Sequence, residues 1–271
     1  MVGAANSSQN SVGTGRLSRP ATVLITGATG GIGAALARCY AQAGRTLILH
    51  GRDQSRLAAL AFDCEKLGAR VHTVPFDLRD AETAMAALRG LSDHYAIDLA
   101  IVNAGVSLTA DIEDDAYSFE VAREVIAVNL GGALATVAGV LPEMRRRGSG
   151  QIALISSLAS YVGLPLTPAY SASKAALKIY GDALRGSLGP QGIAVNVVLP
   201  GFVRTSMAEH FPGPKFFMIS AERAALLIRR GLERNRARIA FPRVLAFGMW
   251  WLSLLPAPLS QFLVRAIGFG R

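Results

Sequence analysis

Residues 22–33 read Thr-Val-Leu-Ile-Thr-Gly-Ala-Thr-Gly-Gly-Ile-Gly. The apolar run Val23-Leu24-Ile25 predicts a short buried strand, and the Ala-rich stretch from Ala34 to Ala43 predicts a helix. Gly27, Gly30, Gly31 and Gly33 fill the turn between them. A helix that begins this way presents unpaired amides and the positive end of its dipole, which together favour an anion such as a phosphate. Glycine lets the anion approach the backbone and supplies positive φ where the turn needs it. The spacing Gly27-xxx-Gly31-x-Gly33 differs from the common G-x-G-x-x-G dinucleotide pattern. It is not a P-loop either, because no Gly-Lys-Ser/Thr follows.

Further strand–helix units follow in order. Thr46–Leu49 predicts a second strand, ending in His50-Gly51-Arg52. An acidic residue at such a strand end would bind a ribose 2′-hydroxyl and select NAD, whereas arginine accommodates a 2′-phosphate. Arg52 therefore favours NADP(H), with NAD(H) the alternative. Asp53–Leu67 predicts a helix with Leu57, Leu60, Ala61, Cys64 and Leu67 on one face, closed by Gly68. Val71–Val74 is the third strand, and Asp77 is placed to cap a helix over about 79–88. Leu99–Val102 is the fourth strand, ending in the small residues Asn103-Ala104-Gly105. After an acidic, irregular stretch from Ser107 to Ser118, a long helix is expected from Phe119 to Arg147, interrupted by Asn129, Gly131 and Gly132. Such residues disfavour a helix interior, so a functional or packing reason is expected there. Gln151–Ile155 and Ala194–Leu199 complete six strands, with a helix from Ala169 to Leu188 between them. This alternation predicts an α/β fold, a doubly wound parallel sheet of about seven strands in a single Rossmann-like domain.

Composition narrows the function. The chain has 271 residues, 51% of them hydrophobic, and a net charge of +9. The one tight basic cluster, Arg145-Arg146-Arg147, precedes Gly148 at an expected helix end, where cations complement the dipole. No nucleic-acid motif accompanies it, so no nucleic-acid partner is expected. Cys39 and Cys64 lack metal spacing and read as reduced thiols of a cytoplasmic protein, with no metal site. Residues 1–20 hold no apolar run that would mark a secretory signal and read as a disordered tail.

Tyr170 and Lys174 stand four residues apart, on one helix face. A free tyrosine has a pKa of about 10. A nearby ammonium would lower it, so that Tyr170 exchanges a proton with a carbonyl or alcohol oxygen near neutral pH. A serine hydroxyl at the end of the neighbouring strand, in the run Ser156-Ser157, could hold that oxygen.

These motifs together resemble the short-chain dehydrogenase/reductase family. They run in order as Thr26-Gly27-xxx-Gly31-Ile32-Gly33, Asp77-Leu78, Asn103-Ala104-Gly105, Asn129, Ser157, Tyr170-xxx-Lys174 and Pro200-Gly201-Phe-Val203-Arg-Thr205. The likeness spans about residues 20 to 240. It implies a hydride-transferring oxidoreductase that interconverts a secondary alcohol and a ketone, or reduces a related carbonyl. In that reading Tyr170 is the general acid/base, Lys174 tunes it and binds the nicotinamide ribose, and Ser157 orients the substrate, with Ser156 and Ser160 less favoured. Asn129 would hold a water linking Lys174 to solvent. Gly27, Gly31, Ile32 and Gly33 would contact the diphosphate, Asp77 and Leu78 the adenine, and Asn103 and Ala104 the adenosine side. Pro200, Gly201, Val203 and Thr205 would flank the nicotinamide. Many NADP-using members carry a basic residue where this chain has Gly30, so NADP preference rests on Arg52. The resemblance also implies a homodimer or homotetramer. An idle NADP(H)-binding sensor or scaffold is the contrasting reading, against which the intact Ser157, Tyr170, Lys174 and Asn129 stand.

Beyond the sixth strand, the resemblance implies that Phe202–Ile219 folds over the substrate as a lid, and its Phe and Met content points to a small lipophilic substrate. Ser220 is placed to cap a helix to about Arg234, and residues 238–242 predict an edge strand. The dinucleotide-binding domain is thus expected over 21–242, with an apolar helical extension over 243–271. Val244–Val264 carries no charge but is broken by Pro256, Pro258, Ser260 and Gln261. Two short helices fit better than one span. They would touch a membrane surface peripherally, pack against a partner subunit, or cover the substrate pocket; the membrane case would suit a lipid or sterol reductase.

Overall fold

The computed structural model describes residues 19–107, 118–211 and 213–269. Seven parallel strands form one sheet in the order β3-β2-β1-β4-β5-β6-β7. They are β1 (Thr22–Ile25), β2 (Thr46–His50), β3 (Arg70–Val74), β4 (Leu99–Val102), β5 (Gly150–Ile155), β6 (Ile193–Pro200) and β7 (Arg238–Phe241). Helices cover both faces, so the inner strands are continuous apolar runs: Val23-Leu24-Ile25, Leu47-Ile48-Leu49 and Leu99–Val102 are all buried. On one face lie α1 (Gly31–Tyr40), α2 (Gln54–Lys66) and α8 (Ala221–Glu233), on a core that includes Leu36, Leu57 and Ile228. On the other lie α3 (Ala81–Tyr95), α5 (Gly132–Arg147) and α6 (Pro168–Leu188), around Leu88, Val140 and Leu177. Chain order reverses between β1 and β4. The crevice outside their carboxyl ends is where this class of sheet binds ligands.

Several local expectations are corrected. The helix after β3 begins at Ala81 and is capped by Asp80, whose carboxylate accepts from Thr83 N. Asp77 is instead drawn to Arg79, whose Nε donates to it at 2.9 Å. Leu67 is exposed, because it ends α2 just as the chain turns at Gly68, while Leu57, Leu60 and Cys64 are buried. Asp53 caps α2 from outside the helix, its side chain accepting from Arg56 N. The three arginines at the end of α5 are engaged within the protein, with Gln191, Glu143 and Asp98 respectively.

The expected long helix is divided. It comprises α4 (Phe119–Ile126), a π-helical turn over Ala127–Gly131, and α5. Of the two glycines, Gly132 has the packing reason: a Cβ there would lie 2.8 Å from Leu78 Cβ. Although Phe119–Arg147 is long and apolar enough to cross a membrane, it packs here against α3, α6 and the sheet. The acidic stretch before it falls largely on 108–117, outside the described residues.

The apolar C-terminal stretch forms two helices, α9 (Arg243–Leu252) and α10 (Ala257–Val264), separated at Ser253–Pro256. Each is far shorter than the roughly 20 residues that a spanning helix needs. Met249, Leu252, Val264 and Phe269 join Leu158, Leu199 and Phe211 in a third core at the carboxyl ends of β5 and β6. A four-residue helix, α7 (Ser206–Glu209), lies between β6 and α8.

Candidate active site

A cavity of about 470 Å³ follows the carboxyl ends of the strands, from Arg52 and Asp77 at one end to Tyr170, Met249 and Phe269 at the other. The glycine turn forms its floor. Gly27 has φ +64°, and a Cβ on it would lie 2.7 Å from Ala104 Cα. A Cβ on Gly31 would overlap the Thr205 side chain. The bond from Ala34 N to Gly30 O, 2.7 Å long, opens the ladder of α1. The amides of Gly31, Ile32 and Gly33 precede it, at the positive end of a helix with no acidic residue in its first turn.

Side chains beneath the turn hold its shape. Thr26 Oγ1 accepts from Asn103 N at 3.0 Å and from Ala104 N at 3.2 Å. The Asn103 amide donates to Thr26 O and Gly27 O, so this side chain ties β4 to the turn. His50 is the residue that the sequence reading passed over. It is buried at the end of β2, and its Nδ1 accepts from Gly27 N at 3.3 Å. Its Nε2 lies 3.0 Å from Phe76 O. A carbonyl can only accept and an amide N–H only donate, so the ring is neutral with its proton on Nε2. Burial pushes its pKa below the ordinary histidine value. A histidine ending an apolar strand gives no hint of this link.

At the Arg52 end, the Arg79 guanidinium holds the Asp77 carboxyl below its usual range. Arg56, one turn into α2, lines the same end of the cavity. Its basic charge beside Arg52 was not foreseen, because the start of α2 at Gln54 decides which residues face inward. Leu78, Pro200, Gly201, Val203 and Thr205 line the middle of the cavity.

At the far end, Lys174 is buried, and its Nζ donates to Ile155 O at 2.9 Å. It stands 5.6 Å from the centre of the Tyr170 ring. Burial lowers the Lys174 ammonium to about 8. The Tyr170 phenol is raised by burial, and the facing Ser157 side chain opposes that rise. Burial dominates at Tyr170, and the neighbouring Lys174 ammonium is held on the Ile155 carbonyl. Ser156 Oγ donates to Lys174 O and Ser160 Oγ to Ser157 O, which leaves Ser157 as the serine facing Tyr170.

Asn129 lies in the π-helical turn, fully buried behind this end. Its Oδ1 accepts from Val106 N at 2.7 Å, and its Nδ2 donates to Val106 O and Ser173 Oγ, each at 3.0 Å. Ser173 Oγ donates in turn to Tyr170 O. Only Gly105 separates Asn129 from Lys174: a Cβ there would lie 3.1 Å from Asn129 Oδ1 and 3.3 Å from Lys174 Nζ.

The sequence model of the short chain dehydrogenase family matches residues 21–213. The chain belongs to this family. It is therefore an oxidoreductase by descent. An uncharacterized oxidoreductase of Myxococcus xanthus (strain DK1622) is 34% identical over 249 residues, covering 91% of this chain and 97% of that protein. Dehydrogenase/reductase SDR family member 7B of Danio rerio is 40% identical over 196 residues, which cover 69% of this chain but 62% of the relative. A short-chain dehydrogenase from Sphingobium yanoikuyae, solved in complex with NADPH, aligns with a TM-score of 0.74 at 27% identity. That alignment covers 90% of this chain and 95% of the other.

The C-terminal extension takes one of its three expected placements, and one further feature of this short-chain dehydrogenase, at Thr167, lay outside the sequence reading. The walls at the Tyr170 end include Leu245 and Met249 of α9 and Phe269, so the C-terminal extension closes the cavity. Thr167 stands at the N-terminal boundary of α6 without capping it. Its buried Oγ1 has no hydrogen-bond partner among the described residues, and the residue lines the cavity.

Proposed function

We propose that this protein transfers hydride between NADP(H) and the carbonyl or secondary alcohol carbon of a lipophilic substrate. The observation that carries this reading is one continuous cavity, with two arginines at its nucleotide end and Ser157, Tyr170 and Lys174 at its apolar end. The cradle fits a dinucleotide. A backbone without Cβ atoms lies against free helix amides, and the turn is held from below by Thr26, Asn103 and His50. When bound, the nicotinamide supplies or accepts the hydride.

The chain's own residues do the rest. Ser157 orients the substrate oxygen, and Tyr170 donates its phenolic proton there during reduction. Both stand in a pocket walled by Leu158, Leu164, Phe202, Met249 and Phe269, which excludes water and strengthens their action. Lys174 supplies positive charge beneath the phenolate that forms and meets the nicotinamide ribose. Asn129 ties the π-helical turn to Val106 and to Ser173 of α6 behind Tyr170 and faces Lys174 across Gly105, the direction of proton resupply. Arg52, joined by Arg56, recognises a 2′-phosphate. The Thr167 hydroxyl offers a hydrogen bond to a second oxygen on the substrate.

The test is oxidation of NADPH, and separately of NADH, against a panel of lipophilic ketones and aldehydes. Tyr170→Phe is expected to lower turnover by about 10²–10⁴-fold while NADPH still binds. Arg52→Ala is expected to weaken NADPH at least about tenfold and leave NADH unchanged. Full turnover by Tyr170→Phe refutes the acid/base assignment. Equal loss for both cofactors refutes the 2′-phosphate assignment.

A further inference from the structure

Helix α9 is apolar on both sides, which for a helix of a water-soluble domain calls for burial on both. Its inner side supplies Leu245, Met249 and Leu252 to the cavity and the core. Its outer side is bare. Val244, Phe247, Trp250, Trp251 and Leu254 follow helical spacing, and the two tryptophans are 43% and 47% exposed. In the next helix, α10, the apolar side chains of Phe262, 66% exposed, and Leu259 are also bare. Phe247 and Trp250 meet at a tilt, 5.7 Å between ring centres, and neither belongs to the core cluster beneath.

Charge indicates what covers this face. From Arg234 to Arg271 the chain has six arginines and no acidic residue. Arg243 and Arg265 bracket the two helices, are exposed, and form no ion pair among the described residues. Arg243 opens α9 at its N-terminal end, where the helix dipole disfavours a cation. Its position is therefore not explained by helix stability, but it suits an external anion. A second copy meeting this face across a two-fold axis would bring the same segment opposite these arginines, with no carboxylate in it to pair with them. Exposed tryptophans between apolar residues and arginines match the headgroup region of a bilayer, where an aromatic ring rests half in hydrocarbon and half in water.

We propose that the outer face of α9 and α10 docks on the surface of an anionic lipid bilayer, lying in the interface without crossing it. The inner face of α9, with Phe269 beyond α10, walls the cavity, so docking places the apolar end of the site next to the membrane. Docking is independent of the reaction proposed above. Only its use for admitting a membrane-dissolved substrate rests on that reading.

The tryptophans provide the assay, because the chain has two, Trp250 and Trp251, both on this face. Full-length protein is mixed with vesicles of phosphatidylcholine, with or without phosphatidylglycerol, and followed by sedimentation and tryptophan emission, without cofactor or substrate. The expected result is sedimentation with the anionic vesicles, a blue-shifted emission, and quenching by brominated acyl chains. Arg243→Glu with Arg265→Glu should weaken binding to anionic vesicles by about 25-fold or more, at about fivefold for each arginine lost. Phe247→Glu with Phe262→Glu should weaken it at least about tenfold, with unchanged melting behaviour and NADPH binding. No sedimentation with either vesicle overturns the proposal. So does a lipid-free, concentration-dependent dimer whose formation blue-shifts the tryptophans and is lost in the phenylalanine variant, which would make a second copy the occupant. Anionic binding that is indifferent to the arginine pair overturns the charge argument.

Discussion

Replacing Lys174 with methionine should make this protein more stable at pH 7 while abolishing its turnover. Methionine keeps the length and apolar stem of the lysine and removes the buried ammonium. Burial brings that ammonium down to about 8, from an ordinary lysine value of about 10.4. At about 1.36 kcal/mol per factor of ten, holding the charge in the folded state at pH 7 costs on the order of 3 kcal/mol. The variant also leaves the Ile155 carbonyl without its donor, a loss of about 1–2 kcal/mol. The net gain at pH 7 is therefore about 1–2 kcal/mol. The sign follows from proton binding. Between pH 8 and 10.4 the unfolded chain holds the Lys174 proton and the folded chain does not, so wild-type stability rises with pH across that window. At pH 10 the penalty has nearly gone, and the orphaned carbonyl should leave Lys174→Met the less stable of the two. Urea unfolding of both proteins at pH 7 and pH 10 measures this, with the order of midpoints expected to reverse. A variant that is destabilised at pH 7, or a difference that does not change with pH, would refute the reasoning.

Two further outcomes test the neighbouring groups. His50 is held neutral between Gly27 N–H and the Phe76 carbonyl, with its pKa below the ordinary value. Its contribution is thus present above about pH 6.5 and is lost as pH falls further, at up to about 1.4 kcal/mol per pH unit. Urea midpoints at pH 7.5 and 5.5 should fall more steeply for the wild type than for His50→Gln, and parallel lines would remove the neutral-imidazole link. Thr167→Val deletes the unpartnered buried hydroxyl. Stability should stay within about 1 kcal/mol or improve, while kcat/KM falls about 10–100-fold for substrates with a second oxygen and holds for simple ketones. A stability loss without that selectivity would refute the substrate contact.

The features legible in the sequence are those whose physics is local. Strands buried on both faces must be continuous apolar runs, so Val23–Ile25 and Leu99–Val102 announce themselves. Tyr170 and Lys174 lie one helical turn apart, and that spacing survives any adjustment of helix ends. What escaped depends on contacts between distant residues. Asp77 and Asp80 are equally good caps in sequence, and the Arg79 guanidinium decides between them. The His50 link joins the ends of three strands. Lys174 also reaches the Ile155 carbonyl of β5, a contact that no spacing within α6 reveals. The residues around Asn129 signalled an irregularity without revealing its kind.

That irregularity has a consequence for how the protein could change. The π-helical turn at Ala127–Gly131 accommodates one residue more than an α-helix would. Each residue advances an α-helix by about 100°, so the two halves of this rod are set in different rotational phases. Losing a single codon there would let Phe119–Arg147 anneal into one regular helix with a full set of backbone bonds. The side chain that now reaches Val106 and Ser173 would be carried off the site. This chain therefore stands one deletion away from a more regular relative of itself, in which Asn129 no longer holds Val106 and Ser173.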